Sequence, residues 1–303
     1  MGLTNQINPD LGKGALFMRR RFAILTIVVI AVAIGGLAAW HRARAAKQFV
    51  QSSVPTIFVH GWGSSANAEA KMTHAAKRAG VTETIVRANV AKSGKVTFNR
   101  TIPAHAINPI VEVNLADNKL SAYKHDYVTG YKHGGTYVKN VVLALEKQHH
   151  YAAINLVGHS MGNLEIINYI NDNVNNDRLP KINHLVAIAG HYNGFVGQKT
   201  ATSRVDPQTG KPTREDASFK PLLSLRQTFP TNTRVLNIYG DMKDGSHSDG
   251  DVPVNSAKTL KYLVAGRARS YREVEIKGKD AQHSKLHNND QVNRELVNFL
   301  WRK

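Results

Sequence analysis

The sequence predicts an α/β fold, a mostly parallel sheet with helices on both faces, preceded by one apolar amino-terminal helix. Three observations carry this. Short β-branched runs alternate with amphipathic helical patterns along residues 54–303, as strands joined by helical crossovers do. The central runs, AINLV at Ala153–Val157 and LVAIA at Leu185–Ala189, are almost continuously apolar, as strands covered on both faces are. The first fifty residues differ in kind, holding a long uncharged stretch beside an arginine cluster.

Composition bounds the function classes. Of 303 residues, 42% are hydrophobic and 20% charged, the range of an ordinary globular chain rather than a disordered one. There are no cysteines, which excludes a disulfide framework, a thiol nucleophile and a thiolate metal site. Lys and Arg number 40 against 22 Asp and Glu, a formal charge of +18. Such a surface is either simply solvated or weakly attracted to anionic wall polymer or lipid. Nucleic acid is not expected, because the basic residues are scattered and no nucleic-acid-binding motif is present.

From Phe22 to Trp40 the chain reads FAILTIVVIAVAIGGLAAW, free of charge and close to the length that spans a bilayer. Arg19, Arg20 and Arg21 precede it, so the positive-inside rule leaves the amino terminus in the cytoplasm. His41, Arg42 and Arg44 follow, and Ala43-Arg44-Ala45 has the small-x-small form of a signal cleavage site. The expected organisation is a cytoplasmic segment 1–21, a transmembrane signal-anchor or signal-peptide helix 22–40, a linker 41–53 and a catalytic domain 54–303. If the helix is retained, the domain sits outside the cell membrane; if it is cut, the domain is secreted. Met18, directly before the arginines, is an alternative start to Met1.

Within 54–303, Thr56–His60 reads as a strand running into a glycine turn, and 66–79 as a helix. The pattern turns to β from 82 to 115 (TETIVRANV, KVTFNRTI, PIVEVNL). Residues 134–148 place Val138, Val141, Val142 and Leu145 on one helical face. The strand at 153–157 leads to a helix at 161–173, and the strand at 185–189 to a stretch of about 190–230, rich in Gly, Pro, Lys and Thr, that reads as a lid-like insertion. Arg234–Tyr239 is a strand, 254–265 a helix, Tyr271–Ile276 the last strand and 290–301 the closing helix.

Gly158-His159-Ser160-Met161-Gly162 matches G-x-S-x-G between a buried strand and a helix, the context that this nucleophile turn requires. Small residues two before and two after the serine permit a tight turn that lifts its hydroxyl above the sheet. The helix beginning there aims free N–H groups at a developing oxyanion. The expected donors are the N–H groups of Met161 and of Trp62, in His60-Gly61-Trp62-Gly63. His60 itself reads as an anchor of that loop, and His149-His150 as surface residues.

A serine hydroxyl needs a histidine to take its proton and a carboxylate to orient that histidine, in the chain order Ser, acid, His. After the strand at 234–239, Asp249 lies three residues before Val252-Pro253; Asp244 is the alternative. The density of Asp and Gly there would also suit a calcium loop, but no ligand spacing matches, so neither metal nor cofactor is assigned. After the last strand, His283 and His287 both qualify as the base, with His283 placed first and His287 as the alternative.

With these residues the sequence resembles the α/β-hydrolase superfamily. It is similar to small secreted bacterial lipases at IFVHGWG, at GHSMG with the later Asn168-Tyr169-Ile170, at Asp249-x-x-Val252, and at His283 with Asn289-Asp290-Gln291-Val292. It resembles more closely the Gram-positive cell-surface α/β-hydrolases of unassigned substrate. Those share GHSMGN, the segment Ser248-Asp249-Gly250-x-Val252-Pro253-x-x-Ser256-Ala257, and Ala281-x-His283-Ser284-x-Leu286-His287-x-Asn289. The resemblance spans about 54–303, favours His283 over His287, and implies a serine hydrolase acting on small-molecule or lipid esters. An acyltransferase or amidase with the same triad is the alternative within enzymes. A non-catalytic surface protein holding anionic polymer or lipid is the alternative outside them.

Overall fold

In the computed structural model, residues 10–303 are described, and side chains at 22, 24–37, 39–40 and from 43 onward. Residues 1–9 of the expected cytoplasmic segment and the side chains of 10–21 lie outside the described residues. The chain divides into two units, one ending at Gln48 and the other running from Phe49 to Lys303.

The first unit is one helix, α1 (Asp10–Gln48). Phe22, Ile24, Leu25, Ile27 and Val28 are all exposed, as are Val29, Ile30, Val32, Ile34 and Leu37, so among the described residues of this run apolar side chains point to every side of the helix. Among the described residues no helix is long and apolar enough to cross a membrane. The side chains of the 22–40 run are described without interruption only over 24–37.

The second unit holds an eight-stranded sheet: β1 (Thr56–Val59), β2 (Ile85–Val90), β3 (Val96–Phe98), β4 (Ile110–Leu115), β5 (Ala153–His159), β6 (Lys181–Ile188), β7 (Arg234–Asp241) and β8 (Ser270–Lys277). Its order is β3-β2-β4-β1-β5-β6-β7-β8. Every pairing is parallel except β2 with the short edge strand β3. The helices between are α2 (Ala70–Arg78), α3 (Tyr127–Glu146), α4 (Met161–Asn173), α5 (Leu225–Thr228), α6 (Val254–Lys258), α7 (Leu260–Val264), α8 (His283–Leu286) and α9 (Asp290–Trp301).

Alternation along the strands serves two cores. Ile57, Val59, Leu156, Leu185, Ala187 and Val235 join one apolar cluster with residues of α3, α4 and α7. Their neighbours Phe58, Val157, Val186 and Leu236 are equally buried, leaving the other face to α2 and α9, which contact each other. Asn289 caps α9, its side chain accepting from the N–H groups of Gln291 and Val292.

The structure departs from expectation in three places. Helix α3 begins at Tyr127 rather than 134, and continues through Gly130, Gly134 and Gly135. Glycine weakens a helix interior by about 1 kcal/mol, but here close packing explains it: a Cβ on Gly135 would lie 2.8 Å from Tyr169 N on α4. The helix expected at 254–265 divides into α6 and α7 around Thr259. Part of the 190–230 stretch belongs to the core rather than to a lid, because Phe219, Leu222, Leu225 and Phe229 are fully buried in the main apolar cluster. Its apolar residues are spaced irregularly across a 3-10 turn and the short α5, so no single period shows in the sequence.

Candidate active site

Ser160 stands where β5 becomes α4, with φ 52° and ψ −122°. A non-glycine residue in this region costs on the order of 1–3 kcal/mol and persists only when its surroundings hold it. They do. Ser160 N–H donates to Ile188 O at 3.0 Å, and Asn163 N–H donates to Ser160 O at 3.0 Å. The Asn163 side chain donates to Ile188 O at 2.8 Å and to Ser160 O at 3.2 Å. Close approach dictates the flanking glycines: a Cβ on Gly162 would collide with Val59 O, and one on Gly61 would lie 2.8 Å from Ser160 Cβ.

The loops after β7 and β8 meet above this turn. His283 Nε2 lies 2.8 Å from Ser160 Oγ, and His283 Nδ1 lies 2.8 Å from Asp249 Oδ2. With Nδ1–H donating to the carboxylate, Nε2 is left to accept from the serine hydroxyl. The other oxygen, Asp249 Oδ1, accepts from Asp251 N–H at 3.0 Å and Val252 N–H at 2.7 Å. His283 N–H donates to Asp249 O at 2.8 Å, which ties the two loops by backbone as well. Asp249 is 1% exposed, His283 7% and Ser160 9%, so water competes little for these bonds.

The two alternatives stand elsewhere. Asp244 is exposed and accepts from Ser246 N–H. His287 packs edge-on against His159, ring centroids 4.9 Å apart, and its pKa is lowered by burial and by His283. His159 is buried and stays neutral, its pKa held well below the usual value by burial first and then by His283. Its Nε2 pairs with His283 O at 3.1 Å. His60 is also buried, and burial lowers its pKa; Nδ1–H donates to Gly61 O at 2.9 Å and Nε2 accepts from Leu115 N–H at 3.2 Å. It anchors the turn that presents Trp62.

Trp62 and Met161 border a cavity of about 550 Å³ together with Ser160 and His283. Among the described residues neither Trp62 N–H nor Met161 N–H has a hydrogen-bond partner. Met161 opens α4, so its N–H is one of the free donors at a helix start. The Trp62 ring is exposed, with the Lys119 ammonium 5.0 Å from its centroid.

The cavity's aromatic wall is not apparent in the sequence. Tyr127 and Tyr131 come from the first turns of α3, and His191 and Phe195 from the segment after β6. Tyr131 hydroxyl meets His191 Nε2 at 2.9 Å, Tyr127 stacks on Tyr131, and Phe195 meets Tyr127 edge-on at 5.8 Å. Burial, then the nearby His283, pushes the His191 pKa down to about 3, so it stays neutral. One available signal for this wall was Asp126-x-x-Thr129, whose aspartate caps α3 by accepting from Thr129 N–H. Among the described residues no group of three or more His, Asp or Glu side chains could hold a metal ion.

Comparison with known proteins bears on family and fold. The family described as alpha/beta hydrolase of unknown function (DUF915) matches residues 43–303. A crystal structure of a Listeria innocua gene product is 22% identical, covers 82% of this chain and 94% of that one, and has a TM-score of 0.71. A candidate cell surface hydrolase from Lactobacillus plantarum is also 22% identical, with coverage of 82% and 89% and a TM-score of 0.64. At this identity the two structures speak to the fold. No curated protein matches the chain.

Proposed function

The chain belongs to this α/β-hydrolase family, and we propose that it is a serine esterase cleaving carboxylic esters through an acyl-enzyme. The observation that carries the reading is the continuous hydrogen-bonded chain from Asp249 through His283 to Ser160. Ser160 Oγ attacks the ester carbonyl while His283 Nε2 takes its proton. Asp249 holds the imidazole in the required tautomer and stabilises the imidazolium. The carbonyl oxygen becomes an oxyanion held by Trp62 N–H and Met161 N–H. Collapse expels the alcohol, which leaves with the proton from His283, and the acyl group stays on Ser160. Water, deprotonated by His283, then releases the acid and restores the serine.

The test is a panel of p-nitrophenyl esters of graded acyl length. A rapid burst of nitrophenol followed by slower turnover, with a preference set by the 550 Å³ cavity, is the expected result. No turnover at any length contradicts the reading.

We further propose that residues 22–40 anchor the enzyme in a membrane, with the catalytic unit on the cell surface. The apolar sequence run, the exposed apolar side chains of α1 on all sides and the description of the Lactobacillus relative support this. Retention in the membrane pellet at alkaline pH, lost when 1–48 are deleted, is expected. A full-length chain that extracts at alkaline pH contradicts it.

A further inference from the structure

His283 stands between two carboxylates. Asp249 and Asp251 are separated by Gly250, whose φ of +102° turns the chain between them. Asp249 Oδ2 meets Nδ1 at 2.8 Å, whereas Asp251 Oδ2 lies 3.9 Å from Nε2, the nitrogen that also bonds Ser160. The Asp251 side chain is 68% exposed and lines the cavity. Its backbone is nonetheless fixed on both sides: its N–H donates to Asp249 Oδ1 at 3.0 Å, and its C=O accepts from Val196 N–H at 2.8 Å. The carboxylate itself accepts no hydrogen bond among the described residues.

Acyl transfer through Ser160, His283 and Asp249 leaves this second carboxylate without a task. Its position gives it one. The oxygen of the leaving alcohol must come within about 2.8 Å of Nε2 to take the proton, which brings the next carbon of that alcohol beside Asp251. A carboxylate only accepts hydrogen bonds, so it rewards a donor there and repels an anion. Lys119 and Lys124 line the same cavity, which counts against a cationic alcohol and leaves a neutral hydroxyl as the complementary group.

Building on the esterase reading, we propose that Asp251 determines specificity for the alcohol side of the ester. The preferred substrates are esters of polyols, glycerol or sugar, carrying a free hydroxyl next to the esterified carbon. Asp251 binds that hydroxyl while His283 protonates the ester oxygen beside it.

The test compares kcat/KM for glycerol 1-monobutyrate and n-propyl butyrate, which differ in the hydroxyls alone. The wild type should favour the glycerol ester by about tenfold, the worth of one hydrogen bond to a charged group. Asp251→Ala should bring the ratio to near one, and Asp251→Asn, which keeps an acceptor oxygen and the volume, should retain part of the preference. A wild-type ratio near one, or a ratio that both folded variants leave unchanged, overturns the proposal. So does an Asp251-dependent preference for butyrylcholine over the glycerol ester. Failure of the wild type on these esters and on p-nitrophenyl butyrate would count instead against the esterase reading itself.

Discussion

Ser160 and Tyr131 both face the cavity, but the chain holds them there by different means. The serine is fixed by backbone: a strained φ, two carbonyls tied by Asn163, and glycines at 61 and 162 where any side chain would collide. The tyrosine is fixed by other side chains, a hydroxyl on His191 and rings against Tyr127. Backbone geometry of the first kind has few solutions and leaves a short motif in the sequence. Packing of the second kind has many solutions, and it joins α3 to the segment after β6 across some sixty residues of chain. The Ser160 turn is therefore rigid and local, and the cavity wall is distributed.

That contrast can be broken at its strong end first. Asp249→Asn should lower kcat by about 10⁴-fold, because the imidazole loses the partner that sets its tautomer. His283→Ala should be equally severe, whereas His287→Ala, which removes an edge-on contact with His159, should stay within about tenfold of wild type. Ester kinetics on purified variants measure both, and equal losses at 283 and 287 would break the assignment of the base. Next, Gly162→Val should cost about 3 kcal/mol of stability by forcing a side chain into the Val59 and His60 carbonyls. Chemical denaturation reads this, and a neutral result would show that the turn is more accommodating than its contacts imply.

Glu165 gives a prediction at the level of pH. Both of its carboxylate oxygens are buried without a partner, and burial, then Asp117, pushes its pKa up to about 8. A buried acid whose folded pKa is raised binds its proton more tightly in the native state. Its contribution is therefore fully present below the unfolded value near 4.5 and is lost as pH rises through about 8. Glu165→Gln should flatten the fall in Tm between pH 5 and 8. An unchanged slope would mean that other groups, such as the similarly buried Glu69, govern it. The smallest effect belongs to the wall: Tyr131→Phe leaves the buried His191 Nε2 without its partner, at a cost of about 1 kcal/mol. It should raise KM a few-fold with kcat little changed, and a large fall in kcat would place Tyr131 closer to the chemistry than the packing suggests.

Much of the sheet was legible because β1, β5, β6 and β7 carry apolar runs that only a doubly covered strand needs. Ser160, Asp249 and His283 could be chosen because turn chemistry and chain order restrict where they stand. Other features were hidden for physical reasons. Gly134 and Gly135 look like helix breakers until α4 is known to lie against them, and Gly130 until Tyr123 is known to press on it. Asp251 reads as one more loop aspartate until the turn at Gly250 swings it beside Nε2. The buried apolar residues of 219–229 serve the core from irregular backbone, which has no period to detect.

The most direct test is labelling with a fluorophosphonate, followed by mass spectrometry of the intact chain and its peptides. A single adduct on Ser160, abolished in Ser160→Ala and slowed sharply in His283→Ala, is the predicted result. Absence of an adduct on the folded wild type, or equal labelling of Ser160→Ala, would contradict the assignment of Ser160 as the nucleophile.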